Sequence, residues 1–176
     1  MDPNTGYFAT NARSFWSDDE PEADGPDVTK GGAREEVRLK GTRNLVYTDA
    51  GGNMRTLDWA TQNNPTFYGL PADATQEDVD LVKARLKLMW GDPLHSEPTL
   101  VNYGGTAENN YIFVSNNGGM LHAISSEDGE EKFAFMPYQF ISRADDFTVN
   151  RPGLGEGNAR QLYGLDSSWT AWRRPG

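Results

Sequence analysis

The chain has 176 residues, 36% of them hydrophobic and five of them tryptophan. That suffices for one domain burying roughly 70% of its unfolded surface, around a core built on rings. Its 26 acidic against 16 basic side chains give a net charge of −10, a field that repels a phosphate backbone and excludes nucleic acid as the expected partner. No cysteine is present, so disulfides and thiolate metal sites are excluded and the redox compartment is left open.

No run approaches the roughly 20 apolar residues of a membrane span. Met1-Asp2-Pro3-Asn4 lacks the charged-then-apolar pattern of an export signal. Residues 1–41 form an irregular entry segment rich in Gly, Pro, Asp and Asn, with an aromatic anchor at Phe15-Trp16. Asp18, Asp19, Glu20, Glu22, Asp24 and Asp27 crowd one stretch of it, a solvated loop.

From residue 42 onward an ordered region is expected. Leu45-Val46-Tyr47-Thr48, the turn Asp49-Ala50-Gly51-Gly52 and Asn53–Asp58 predict a hairpin. A helix begins at Thr75, whose hydroxyl caps the first turn while Asp78 completes a capping-box pair. Val79, Val82, Leu86 and Met89 then recur at helical spacing, a core-facing stripe, before Gly91 and Pro93 stop the helix near residue 90.

Beyond it the period becomes alternating. Four strands are predicted, approximately Pro98–Tyr103, Asn110–Ser115, Met120–Ser125 and Glu131–Pro137. In the second of them Ile112 and Val114 face one way and Tyr111 and Phe113 the other, so the sheet must be covered on both sides. Four sequential antiparallel strands with two apolar faces describe a propeller blade, with a β-sandwich as the competing architecture.

An internal repeat favours the propeller. Aligning Gly51-Gly52 with Gly118-Gly119 also places Leu45 on Ile112, Val46 on Phe113, Tyr47 on Val114, Met54 on Leu121 and Leu57 on Ile124. The separation exceeds the roughly 40 to 45 residues of a typical blade, and the helix supplies the excess. Gln161–Asp166 and Trp169–Trp172 are expected to begin another strand. The expected fold is thus mainly β, a partial β-propeller over 42–176 of about two blades and the start of a third, with one helical insertion at about 75–90. An open arc leaves strand edges in water, so the chain is expected to belong to a longer protein.

Two segments now carry a family resemblance. Gly91-Asp92-Pro93-Leu94-His95-Ser96-Glu97-Pro98 leads into Tyr111-Ile112-Phe113-Val114-Ser115-Asn116-Asn117-Gly118-Gly119-Met120-Leu121-His122-Ala123. Together they resemble the "GDPLHS-x-P … VYVG-x-NDGMLHAF" signature in the C-terminal propeller of PilC/PilY-type adhesins of bacterial type IV pili. Ser14–Ser17 with Asp27–Ala33, Arg43–Tyr47 and Leu162–Asp166 agree in the expected order. The resemblance implies a non-catalytic adhesion and pilus-assembly module, extracellular at the pilus tip or on the outer-membrane surface. Its implied partners are minor pilins, the remaining propeller blades and a host or abiotic surface. No cofactor is implied in this segment. Calcium, bound elsewhere in some full-length relatives, has no D-x-D-x-D ligand run here, and Ser125–Glu131 has ordinary turn chemistry.

The same residues invite other site chemistries. His95 and His122 are the only two imidazoles and lack further ligands for zinc, so both are expected to make structural hydrogen bonds. Ser96 has no G-x-S-x-G elbow and sits between Pro93 and Pro98, a rigid connector. Gly153–Gly157 lacks the spacing of a phosphate loop. A quinone-dependent dehydrogenase is the alternative enzyme, because its blades dock through a repeated A-x-D-x-x-x-G-x-x-x-W motif. The corresponding run here is Ala123, Ser125, Gly129 and Phe133, with acid and indole both replaced. An extracellular carbohydrate-binding propeller is the third reading, through Trp169 or Trp172; Phe15, Trp16, Trp169 and Trp172 are the candidate recognition rings, for which packing is the simpler expectation.

Overall fold

The computed structural model describes residues 3–16, 24–27, 30–148, 162–165 and 167–172. Residues 18–22 of the acidic stretch and the Gly153–Gly157 loop lie outside them. The described residues form a six-stranded mixed sheet with short helices, a mainly β fold. The strands are β1 (Leu45–Thr48), β2 (Met54–Thr56), β3 (Thr99–Asn102), β4 (Asn110–Ser115), β5 (Leu121–Ser125) and β6 (Glu131–Met136). Their order is β2-β1-β6-β5-β4-β3; every pairing is antiparallel except β1 with β6.

The predicted hairpin, the four later strands and the helix are therefore present. The repeat is also real. Asp49 and Asn116 open equivalent turns, in which Oδ1 of each accepts the amide two residues on (Gly51, 2.9 Å; Gly118, 3.0 Å). It also accepts the amide four residues on (Asn53, 2.9 Å; Met120, 3.4 Å). Gly52 and Gly119 follow with φ of 81° and 83°, values that exclude ordinary side chains.

The repeat does not create separate sheets. Both hairpins lie in one sheet, not in the neighbouring sheets expected from the alignment, because β1 continues β6 in parallel register, Leu45 opposite Ala134 and Tyr47 opposite Met136. An ion pair sets that register. The Arg43 guanidinium, two residues ahead of β1, grips the Glu131 carboxylate at the start of β6 with Nε and Nη2 at 3.0 and 3.2 Å. The described part of the last segment, 162–165 and 167–172, contains no strand either.

Helix α1 (Gly32–Lys40) falls inside the region expected to be irregular. Its sequence is mostly charged, and only Ala33 and Val37 are buried. Helix α2 (Gln76–Leu88) forms as predicted: the Asp78 amide donates to Thr75 Oγ1 at 3.2 Å and the Thr75 amide to Asp78 Oδ2 at 2.9 Å. Two helices of a single turn or so, α3 (Tyr138–Ile141) and α4 (Ala144–Thr148), follow β6.

Both sheet faces carry apolar side chains, as the alternation in β4 predicts. On one, Val79, Val82 and Leu86 of α2 pack with Leu45, Ala134, Met136, Ile141 and Ala144. Trp16, Ala33 and Trp90 cover Ile112, Val114 and Ile124 of the same face. On the other, Phe113 meets Phe133 and Trp169 edge-on, at 6.2 and 5.2 Å between ring centroids.

Candidate functional site

The concentration of ionisable chemistry among the described residues lies inside the sheet, around His122. Its ring is fully buried and stacks on Trp90, 4.4 Å between centroids and 29° between planes. Nδ1–H donates to Glu131 Oε2 at 2.6 Å, and Nε2 accepts from the Asn116 side-chain amide. These partners fix the tautomer, because a carboxylate takes the proton-bearing nitrogen and an NH2 group the lone pair.

Arg43 completes the network. Besides holding Glu131, its Nη1 donates to the carbonyls of Leu86 and Met89 at 3.0 and 2.8 Å, closing the C-terminal end of α2. The Trp59 indole donates in turn to the Arg43 carbonyl at 2.8 Å. One side chain thereby ties α2, β1 and β6 together.

Burial and pairing oppose each other here. Burial lowers the His122 pKa below its ordinary value, although the Glu131 carboxylate pulls it upward. Burial would raise Glu131, but the His122 hydrogen bond and the Arg43 charge outweigh it and leave the carboxyl below its usual range. Burial also draws Arg43 down, against the Glu131 charge, yet a guanidinium retains its proton. The result is a neutral imidazole beside an Arg–Glu ion pair.

What such an arrangement can do chemically is limited by access. Both imidazole nitrogens are engaged and the ring is 0% exposed, so His122 does not reach a substrate as general base in this fold. His95 lies exposed in the connection from α2 to β3. Ser96 is buried and serves β4: its Oγ accepts the Ser115 amide at 3.1 Å and sits 2.9 Å from the Ser115 hydroxyl. The two imidazoles thus lie in different environments, one buried in β5 and one exposed. Among the described residues no group of three or more His, Cys, Asp or Glu is placed to hold a metal ion.

The signature segments converge on the turn that Asn116 opens. The Asp92 amide donates to Asn117 Oδ1 at 2.8 Å and the Asn117 amide to the Asp92 carbonyl at 3.1 Å. From the far side the Gly164 amide donates to the Asn117 carbonyl at 3.0 Å. The backbones meet so closely that a Cβ on Gly91 would lie 2.6 Å from the Gly118 nitrogen, and one on Gly164 would lie 2.3 Å from Gly119 Cα. Gly91, Gly118, Gly119 and Gly164 are contact surfaces for each other.

The aromatic candidates divide. Trp16 packs over Gly129 and donates its indole N–H to the Ser126 carbonyl at 3.2 Å; a Cβ on Gly129 would lie 2.7 Å from that ring. The indole that covers Gly129 thus comes from the entry segment, while position 133 is a phenylalanine that packs on Phe113. Trp169 packs on Phe113, whereas Phe15 and Trp172 are exposed. In the Ser125–Glu131 turn, Asp128 accepts the Glu130 amide at 2.9 Å and pairs with Lys132, while Glu130 pairs with Lys40 and Lys132.

Arg43, Asn116 and Glu131 were not singled out in the sequence. The repeat contained the signal for Asn116, since the alignment that matches the glycines also sets Asn116 on Asp49 and His122 on Arg55. In the first copy Arg55 donates to Asp49 at 3.2 Å in an exposed pair, and in the second His122 meets Asn116 in the interior. Arg43 carries no comparable local signal, because its partner lies far along the chain. The chain matches no protein-family model, no curated protein and no solved structure.

Proposed function

We propose that this chain is a non-catalytic adhesion and assembly module, part of a pilus-tip protein of PilC/PilY type, in which the β3–β6 meander is one blade of a propeller. The observation that carries the reading is the convergence of Gly91–Asp92, Asn116–Gly119 and Leu162–Leu165, the motif-bearing segments, on a single interlocked turn. A motif of that kind is explained by architecture, and its histidine is consumed inside the fold rather than turned toward a ligand. Docking of Trp16 on Gly129 supports the propeller part, since glycine and tryptophan are both members of the run that docks one quinoprotein blade against the next.

In this reading the sheet face bearing Val46, Leu121, Phe133 and Phe135 receives the next blade. The module acts outside the cell, contacts minor pilins through the assembled propeller and contributes to surface attachment. Its work is binding.

The experiment is a paired titration of the purified chain. Saturable binding of minor pilins, with no change in absorbance on adding pyrroloquinoline quinone, is the expected result. A quinone spectral shift accompanied by dye reduction would replace the adhesin by the dehydrogenase. Glycan binding lost on Trp172→Ala would replace it by the carbohydrate-binding reading, which the exposure of that ring favours.

A further inference from the structure

We propose that His122 is an acid-sensitive latch for the Leu162–Leu165 segment: a proton taken at Nε2 breaks the turn on which that segment is seated. In the neutral ring Nε2 accepts from Asn116 Nδ2, which leaves Asn116 Oδ1 to receive the amides of Gly118 and Met120. Protonation turns Nε2 into a donor, so two donors face each other. Rotating the Asn116 amide presents Oδ1 to the imidazolium but directs NH2 at the Gly118 and Met120 amides. Either way the turn loses hydrogen bonds that none of the described side chains around the ring, Glu131, Arg43 and Trp90, is placed to replace.

The consequence reaches the surface through Asn117. Its carbonyl accepts the Gly164 amide, and Gly164 sits against Gly119 with no room for a side chain. A turn that shifts by a few tenths of an ångström therefore unseats Gly164. The charged groups facing the imidazole are Glu131 of β6 and Arg43 ahead of β1; Trp90, after α2, and Asn116, in the turn, are neutral. Burial keeps the ring unprotonated near neutrality and places the event in acid, while Glu131 stays ionised over the same range.

The first hairpin is a built-in control. There the Arg55 guanidinium holds Asp49, and the Asp49 carboxyl is kept below its ordinary value first by the Asn53 backbone amide. The acid response is confined to the second copy, where a titratable ring stands in the place of arginine.

The test follows the His122 ring resonances and the amide exchange of Gly164 in the full chain by NMR from pH 7.5 to 4.5, with exchange corrected for its intrinsic pH dependence. Gly164 protection is expected to fall about tenfold or more with the His122 titration, the loss of roughly one hydrogen bond, while Phe113 and Ala123 amides hold theirs. Asn116→Asp supplies a carboxylate that accepts both turn amides and the imidazolium, as Asp49 does with Arg55, and is expected to keep Gly164 protected in acid. A His122 ring that stays neutral throughout the range, Gly164 protection that stays flat while His122 titrates, or protection that disappears only with β4 and β5, overturns the proposal. So does an equal acid loss in Asn116→Asp; should that variant not fold, the two midpoints in the native chain decide alone.

Discussion

Replacing Arg43 by Met tests how the sheet is held together. The substitution preserves much of the aliphatic stem but removes the guanidinium, leaving the Glu131 carboxylate at 3% exposure with only His122 as partner and the Leu86 and Met89 carbonyls without their donor. Removing one member of a buried pair costs about 3–5 kcal/mol, a large share of the roughly 5–15 kcal/mol of a typical domain. With a urea slope of about 2 kcal/mol/M, the unfolding midpoint falls by roughly 2 M. Glu131→Gln alone strands the Arg43 charge and is similarly costly, although Gln still accepts from His122 Nδ1. The double variant removes both charges and is expected to cost at least about 2 kcal/mol less than the sum of the single ones. Urea melts of the four proteins complete the cycle. An Arg43→Met cost below about 1 kcal/mol, or additive single effects, would refute the role given to this pair.

Gly164→Ala puts a methyl group 2.3 Å from Gly119 Cα, so amide exchange across 162–165 should accelerate while the urea midpoint of the sheet moves little; unchanged exchange would contradict the packing described. Thr75→Ala removes the acceptor for the Asp78 amide and should cost about 1 kcal/mol of stability, read as a lower urea midpoint, with no shift counting against the cap. Trp16→Ala empties the surface of Gly129 and the acceptor site at Ser126; because the ring is half-buried, a loss of about 2 kcal/mol is expected, short of a full core deletion, and an unaltered melt would show that the indole does not dock. Acid should weaken the fold in a defined window: burial lowers the His122 pKa, so its contribution is complete above the unfolded-state value near 6.5 and declines as pH falls below it. A stability plateau from pH 7 to 5 in urea melts would contradict that sign.

The strands β3 to β6 and helix α2 were legible because local chemistry decides them: alternation in Tyr111–Val114, the Gly118-Gly119 turn, and a Thr75–Asp78 cap ahead of a helical stripe. The parallel pairing of β1 with β6 was not. It depends on Arg43 meeting Glu131 across most of the chain and on α2 covering both strands, and the repeat, correctly found, pointed instead to two sheets. Helix α1 escaped because Gly31-Gly32 at its start resembles loop chemistry and its two buried residues leave no convincing stripe. Helices α3 and α4 are too short to show a period. Of the site, His122 was visible within its motif as a structural histidine, which the geometry bears out. Its three polar partners come from the turn, from β6 and from the loop ahead of β1, a set that only the fold assembles.

The claim on which the account rests is that His122 belongs to the interior as a neutral structural ring, and long-range proton–nitrogen NMR of the two histidines at pH 7 tests it directly. A protonated Nδ1 and a bare Nε2 at His122, with a ring proton slow to exchange with water, is the predicted spectrum. An imidazolium, or a ring averaging between tautomers in contact with solvent, would contradict it.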